Sequence, residues 1–344
     1  MRRLVPLDAT LGPDFVARLR AAWDAGDAVL PVDPRLPGPA RRVLLDAMDL
    51  DRPVEPDDAL VVATSGTTGE PKGVVLTREA VAASAEATSA RLGVDPATDR
   101  WLACLPLAHV GGLSVVLRAL HTGTPLTFDP GAPATLVSLV AAQLRRMDTA
   151  RFRTVVLGGS APPGDRPTNA VVTYGMTETG SGVVYDGRPL DGVEVRAEGG
   201  ELLVRGPMLL RGYRDGSTPL DADGWLVTGD AGAVAADGTV TVLGRIGDVV
   251  VTGGEKVWPD AVEPVLAALP GIAEVAVGGR PDPEWGHRVV AWVVPADRSA
   301  PPALDALRDA VKAVLPAYSA PRELVLVDAL PRTPLGKLRR HLLT

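Results

Sequence analysis

The sequence predicts an α/β protein that holds a ligand at the carboxyl edge of a sheet, and three observations point there. Between residues 60 and 175, short apolar runs alternate with helical patterns, and glycines stand where several runs end. From Gly192 to Gly244 the texture changes to short alternating strands joined by glycine turns, as in GVEVRAEGGELLVRG and GTVTVLGR. After Arg245, helical and strand patterns mix again over a tail large enough for a small α+β unit.

Taken in chain order, apolar residues at helical spacing predict helices over residues 15–25 and 41–48. Residues 60–63 read as a strand that enters a Gly/Thr-rich loop closing at Gly73, and residues 74–76 as the returning strand. Thr77 suits an N-cap, and Gly93 a C-terminal stop, for a helix running to about Leu92. Residues 101–120 are apolar but carry Pro106, His109, Gly111, Gly112 and Arg118. They read as strand, loop and buried helix rather than as a membrane span. A helix is expected over residues 133–147, then buried strands over residues 154–157 and 170–173. The tail should add helices at 261–269 and 304–314 and strands at 275–277 and 289–294.

Composition narrows the function. The net charge of −7 argues against a nucleic-acid partner, which favours a basic surface. One cysteine, Cys104, excludes an intramolecular disulfide framework and a thiolate zinc site. The opening MRRLVPLDATLGPDF lacks the apolar run of a secretory signal, so a cytoplasmic protein without a membrane span is expected.

Chemistry concentrates in five places. TSGTTGEPKG, residues 64–73, gathers hydroxyls, glycines and one lysine. That is the make-up of an anion cradle, where backbone N–H groups converge on phosphate oxygens and Lys72 adds charge. Pro71 before Lys72 excludes the Walker A pattern, and the plainer alternative is a solvated hairpin turn. In TYGMTET, residues 173–179, Tyr174 suits a base, Thr177 a phosphate and Glu178 a Mg2+ ion, although a loop with one Glu is commonly only a loop. Asp230 in GWLVTGD suits the two hydroxyls of a ribose, or a turn. In GRIGDVVVTGGEKVWP, residues 244–259, Arg245 can join Asp230, and Gly253 with Gly254 allows close backbone approach; a plain hairpin is the alternative. PRTPLGKLRR, residues 331–340, presents Lys337, and is otherwise a solvated basic tail.

The order and spacing of these five motifs resemble the adenylate-forming superfamily of acyl-CoA synthetases, peptide-synthetase adenylation domains and luciferases, over roughly residues 61–344. The resemblance implies a large N-terminal domain, residues 1–246, of α/β sheet layers plus a β-rich subdomain, truncated relative to the family. It also implies a small mobile α+β lid, residues 247–344. ATP, Mg2+ and coenzyme A follow from it, with an acyl-adenylate made first and a thioester second. Catalytic roles fall to Lys337, Thr177 and Glu178, the last also the metal ligand. ATP binding falls to Thr64, Ser65, Gly66, Thr67, Thr68, Gly69 and Lys72. Gly159, Ser160, Ala161, Thr173, Tyr174, Gly175 and Met176 join them, with Asp230 and Arg245 as the ribose pair. Lys337 serves adenylation by electrostatics and then leaves as the lid rotates, bringing in Gly253 and Gly254 for coenzyme A. Trp285 resembles a tryptophan that packs on coenzyme A, or is equally a capped core residue. Gly247 stands where the family commonly has a polar hinge side chain.

The resemblance places the acyl group among His109, Gly111, Gly112, Leu113, Gly158, Gly175 and Ser181, which leaves room for a ring. His109 reads equally well as a structural histidine. PLAHVGGLS, LGGSAPP and TYGMTETGSG resemble the o-succinylbenzoate–CoA ligases of menaquinone biosynthesis. Another aryl or medium-chain acid, or a carrier protein as acceptor, stays open. The partners implied are a small carboxylic acid, ATP and coenzyme A, with a homodimer allowed. The phosphate loop begins at residue 64, early for this superfamily. Neighbouring elements or a second subunit are therefore expected to cover the sheet behind it.

Overall fold

A computed structural model describes residues 2–65, 71–144, 146–159, 162, 166–332 and 338–344, apart from the side chains of Ser65 and Ala142. The chain is mixed α/β and builds four sheets. The first runs in the order Leu4–Asp8, Ala28–Val32, Asp58–Ser65, Pro71–Thr77 and Gly212–Tyr213. Its first two strands pair in parallel, and Val29 against Leu60 joins them to the antiparallel pair Asp58–Ser65 and Pro71–Thr77. The helical periodicity of the N-terminus does not reveal these two strands. Pro6 and Pro31 lie inside them, and proline speaks against a strand. On the other edge, Gly212 and Tyr213 pair with Val75 and Val74. Neighbouring elements thus cover the sheet behind residues 64–73.

Helix Arg78–Leu92 begins and ends as its sequence predicts: Thr77 Oγ1 accepts the Ala80 N–H at 3.1 Å, and Gly93 closes it at φ +57°. Buried Ala80, Ser84, Ala85 and Thr88 are small enough for it to lie between the first two sheets beside helix Val110–Thr122. Together they bury one core that includes Leu60, Val74, Trp101, Leu113, Val116 and Val183.

The second sheet orders Arg188–Pro189, Ser181–Tyr185, Ala170–Met176, Thr154–Leu157, Leu136–Leu139, Trp101–Leu102 and Leu126–Thr127. The helix expected over residues 133–147 is corrected here. Leu136–Leu139 is a fully buried strand, parallel to Thr154–Leu157, and only Ala141–Leu144 is helical. LVSL is short and apolar throughout, a pattern that does not separate a buried strand from a buried helix.

Residues 192–245 form a four-stranded antiparallel sheet, Glu194–Glu198, Glu201–Arg205, Leu226–Val234 and Val240–Arg245. The tail folds on its own core of Val250, Val262, Leu266, Val277, Val289, Leu307 and Val311. Helices Pro259–Ala267 and Leu304–Val314 pack there on a sheet dominated by the hairpin Ile272–Asp282 and Gly286–Pro295. Among the described residues no helix is long and apolar enough to cross a membrane.

Candidate active site

The hairpin of strands Leu226–Val234 and Val240–Arg245 sets Asp230 directly opposite Arg245. Arg245 Nε lies 3.0 Å from Asp230 Oδ1, and its Nη1 donates to the Thr228 carbonyl at 2.6 Å. From the second sheet, the Tyr174 hydroxyl donates to Asp230 Oδ2 at 2.8 Å. Burial, and then the Asp230 charge, raise the Tyr174 phenol well above its ordinary value, so it remains a donor. Asp230 is 6% exposed and oriented by both neighbours. Each carboxylate oxygen carries two lone pairs, so the pair of oxygens is the kind of acceptor that suits two adjacent hydroxyls. The aspartate lies within its strand rather than in a turn.

Strand Ala170–Met176 turns into Thr177–Thr179, and the buried Thr179 hydroxyl accepts the Met176 N–H at 2.9 Å to hold that turn. Glu178 is thereby placed beside Tyr213, whose hydroxyl donates to Glu178 Oε1 at 3.0 Å. Lys72 Nζ sits 4.8 Å from the centre of the same ring. Among the described residues no group of three His, Cys, Asp or Glu side chains converges on a metal site. One carboxylate that shares Tyr213 with a lysine suits Mg2+ beside a nucleotide, since that ion keeps waters and takes most of its remaining ligands from a bound triphosphate. The residues present fit that ion.

Several of the glycines expected to line the acyl group sit hard against neighbouring atoms. A side-chain carbon on Gly158 would stand 2.7 Å from Thr173 Oγ1, one on Gly175 would strike the Ser181 carbonyl, and one on Gly112 the Pro106 carbonyl. Gly159 takes φ +85°. Gly111 meets nothing closer than 3.8 Å, so packing does not require a glycine there. His109 stands at the N-cap of helix Val110–Thr122 without capping it, and Leu113 is fully buried one turn on. Burial lowers the His109 pKa from its ordinary value, against an opposing pull from Asp33.

Arg118, on that same helix, is 3% exposed and donates through Nη2 to Ser181 Oγ. Its Nε and Nη1 are buried without a hydrogen-bond partner, beside a small cavity lined by Val81, Ser84, Ala85, Ser114, Leu117 and Gly180. Sequence reasoning used Arg118 only against a membrane span and missed Tyr213 altogether. The available signal for Arg118 was a cation inside the apolar run VVLRAL, since arginine is almost never fully buried unpaired.

In the C-terminal sheet, the Gly253 N–H donates to the Trp285 carbonyl at 2.9 Å, and a side-chain carbon on Gly253 would stand 2.7 Å from the indole. Arg322 stacks on the outer side of Trp285 at 4.1 Å. Gly254 takes φ +87° next to Gly253. Thr64 pairs with Lys72 across the two strands, and Ser65 ends its strand. Gly66, Thr67, Thr68, Gly69, Ser160, Ala161 and Lys337 lie outside the described residues.

Residues 46–147 match the family model described as AMP-binding enzyme, and residues 261–337 the one described as AMP-binding enzyme C-terminal domain. A probable 2-succinylbenzoate–CoA ligase of Mycobacterium tuberculosis is 40% identical over 336 residues, covering 86% of this chain and 86% of the relative. The 2-succinylbenzoate–CoA ligase of Listeria monocytogenes is 33% identical over 340 residues, covering 87% of this chain and 71% of the relative. Among solved structures, the o-succinylbenzoate coenzyme A synthetase of Bacillus subtilis in complex with ATP and magnesium ion is similar with a TM-score of 0.86. It is 26% identical, covering 99% of this chain and 88% of that one. The same enzyme in complex with the acyl-adenylate intermediate OSB-AMP has a TM-score of 0.78 at 28% identity, covering 99% and 83%.

Proposed function

This chain belongs to the AMP-binding enzymes, among the 2-succinylbenzoate–CoA ligases, and from that premise we propose how its own residues join o-succinylbenzoate to coenzyme A. The observation that carries the reading is the Tyr174–Asp230–Arg245 cluster, a buried, oriented carboxylate suited to a ribose. Tyr174 packs beside the adenine, and Lys72 with the backbone of residues 64–73 receives the phosphates. Glu178 holds Mg2+, which when bound offsets phosphate charge, and Thr177 donates to the α-phosphate. One carboxylate of the acid attacks the α-phosphorus, the bond from phosphorus to the bridging oxygen breaks, and pyrophosphate departs. Lys337 stabilises the charge that grows there. The coenzyme A sulfur then attacks the acyl carbon, AMP leaves, and the thiol proton passes to solvent.

The domain division at residues 246/247, the rotation of the lid, and the approach of coenzyme A along Gly253, Gly254 and Trp285 are parts of the same proposal. So are cytoplasmic location, which ATP and coenzyme A as co-substrates favour, and a homodimer, which light scattering would read. For the acid, Arg118 supports o-succinylbenzoate over a monocarboxylate. One carboxylate reacts and the second needs a counter-charge. The buried guanidinium, which donates to Ser181 Oγ, supplies it. A buried arginine beside the residues assigned to the acyl group has no use in a site for medium-chain fatty acids.

Replacement of Lys337 by alanine tests the two-step scheme. Acyl-AMP formation should fall by about a hundredfold or more, the loss of one preorganised charge contact. Thioester formation from supplied acyl-AMP should persist, and equal loss in both halves would contradict the scheme.

A further inference from the structure

Between Lys72 and Glu178 stands a residue that neither motif contains. Tyr213 gives its hydroxyl to Glu178 Oε1 at 3.0 Å and its ring face to Lys72 Nζ at 4.8 Å. Strand Gly212–Tyr213 pairs with Val75 and Val74. The next residue fixes it further. The Arg214 N–H donates to the Gly73 carbonyl at 2.7 Å. Its buried guanidinium donates to the carbonyls of Met48 at 3.0 Å, Pro53 at 3.0 Å, Asp49 at 2.8 Å and Arg52. Met48 closes helix Gly38–Ala47, so the cation sits where the helix dipole favours one. Gly73 admits this approach because a side-chain carbon there would stand 2.9 Å from Arg214 Cβ. Arg214 therefore stakes the short strand to the N-terminal sheet and presents Tyr213 between two groups of the nucleotide site.

We propose that Tyr213 is a positioning residue for the metal–triphosphate end of the site, holding Oε1 of Glu178 so that Oε2 faces the metal, and parking the Lys72 amine until phosphates take it. This rests on the reading of Glu178 as the holder of Mg2+. A carboxylate pinned at one oxygen presents a single ligand atom, which matches the few protein ligands that Mg2+ takes beside a nucleotide. Partners that orient a ligand in this way contribute about 10–100-fold to metal affinity.

The test uses Mn2+ in place of Mg2+ and counts free Mn2+ by electron paramagnetic resonance, with α,β-methylene-ATP present. Wild type, Tyr213→Phe, Tyr213→Leu and Glu178→Gln are compared, and AMP affinity without metal is read by calorimetry. Tyr213→Phe keeps the ring and should weaken Mn2+ binding about tenfold while leaving AMP affinity unchanged. Tyr213→Leu should in addition weaken the metal-free ATP analogue, because Lys72 loses its support. If Glu178→Gln abolishes Mn2+ binding and Tyr213→Phe matches wild type, the inference about Tyr213 fails while the role of Glu178 stands. If Glu178→Gln binds Mn2+ normally, the reading of Glu178 fails and takes the inference with it. If Tyr213→Phe loses AMP along with Mn2+, Tyr213 is a structural residue only.

Discussion

Replacing Arg118 with methionine separates the cost of a buried cation from its use. In the free protein the guanidinium keeps one hydrogen bond, to Ser181 Oγ, and lies 5.6 Å from the centre of the Trp101 ring. Losing both contacts costs about 1 kcal/mol each. Against this, Nε and Nη1 are buried and unpartnered, and each such group carries a penalty of about 1–3 kcal/mol. Methionine fills similar length with apolar atoms. The free protein should therefore gain on the order of 1 kcal/mol, a rise of about 1–2 °C in melting midpoint. Toward o-succinylbenzoate, the variant loses a charge-assisted contact of about 1.5–3 kcal/mol, which is roughly 10–100-fold in kcat/KM. A monocarboxylate analogue that keeps the reacting carboxylate and lacks the second one should be used about equally by both proteins. Calorimetric melting and AMP release read the two sides. A variant that melts lower and keeps full kcat/KM for o-succinylbenzoate would refute the assignment, leaving Arg118 a packing residue.

Two further outcomes follow from the same geometry. Asp230→Ala removes the acceptor that orients Tyr174 and Arg245, and should weaken ATP and AMP alike by about 10–100-fold, at 1.5–3 kcal/mol for bonds to a charged group. Unchanged nucleotide affinity by calorimetry would count against the ribose role. His109 is held below its ordinary pKa by burial, so between its folded and unfolded values the unfolded chain binds more protons and stability rises with pH. Stability should fall as the pH drops below about 6.5, the unfolded imidazole value, and His109→Gln should lose that part of the slope in melts from acid to neutral pH.

Features encoded locally were legible in the sequence. Thr77 and Gly93 cap helix Arg78–Leu92 through contacts within a few residues, and Gly112 and Gly175 sit where neighbouring carbonyls leave no room for a side chain. Asp230 and Arg245 are 15 positions apart and meet only across a hairpin; their motif order, not their spacing, paired them. Tyr213 and Arg118 escaped because their meaning is tertiary. One bridges residues more than a hundred positions apart from each other, and the other matters for partners it lacks. The strands at Leu4–Asp8, Ala28–Val32 and Leu136–Leu139 were hidden by proline or by uniform hydrophobicity, which leave no period to read.

The central claim is tested most directly by incubating the purified protein with ATP, Mg2+, coenzyme A and o-succinylbenzoate, beside a panel of benzoates and fatty acids. AMP and acyl-CoA are followed by chromatography. The account predicts stoichiometric AMP and o-succinylbenzoyl-CoA, with that acid strongly preferred over every monocarboxylate. AMP release with an unsubstituted benzoate or a fatty acid but none with o-succinylbenzoate would contradict it.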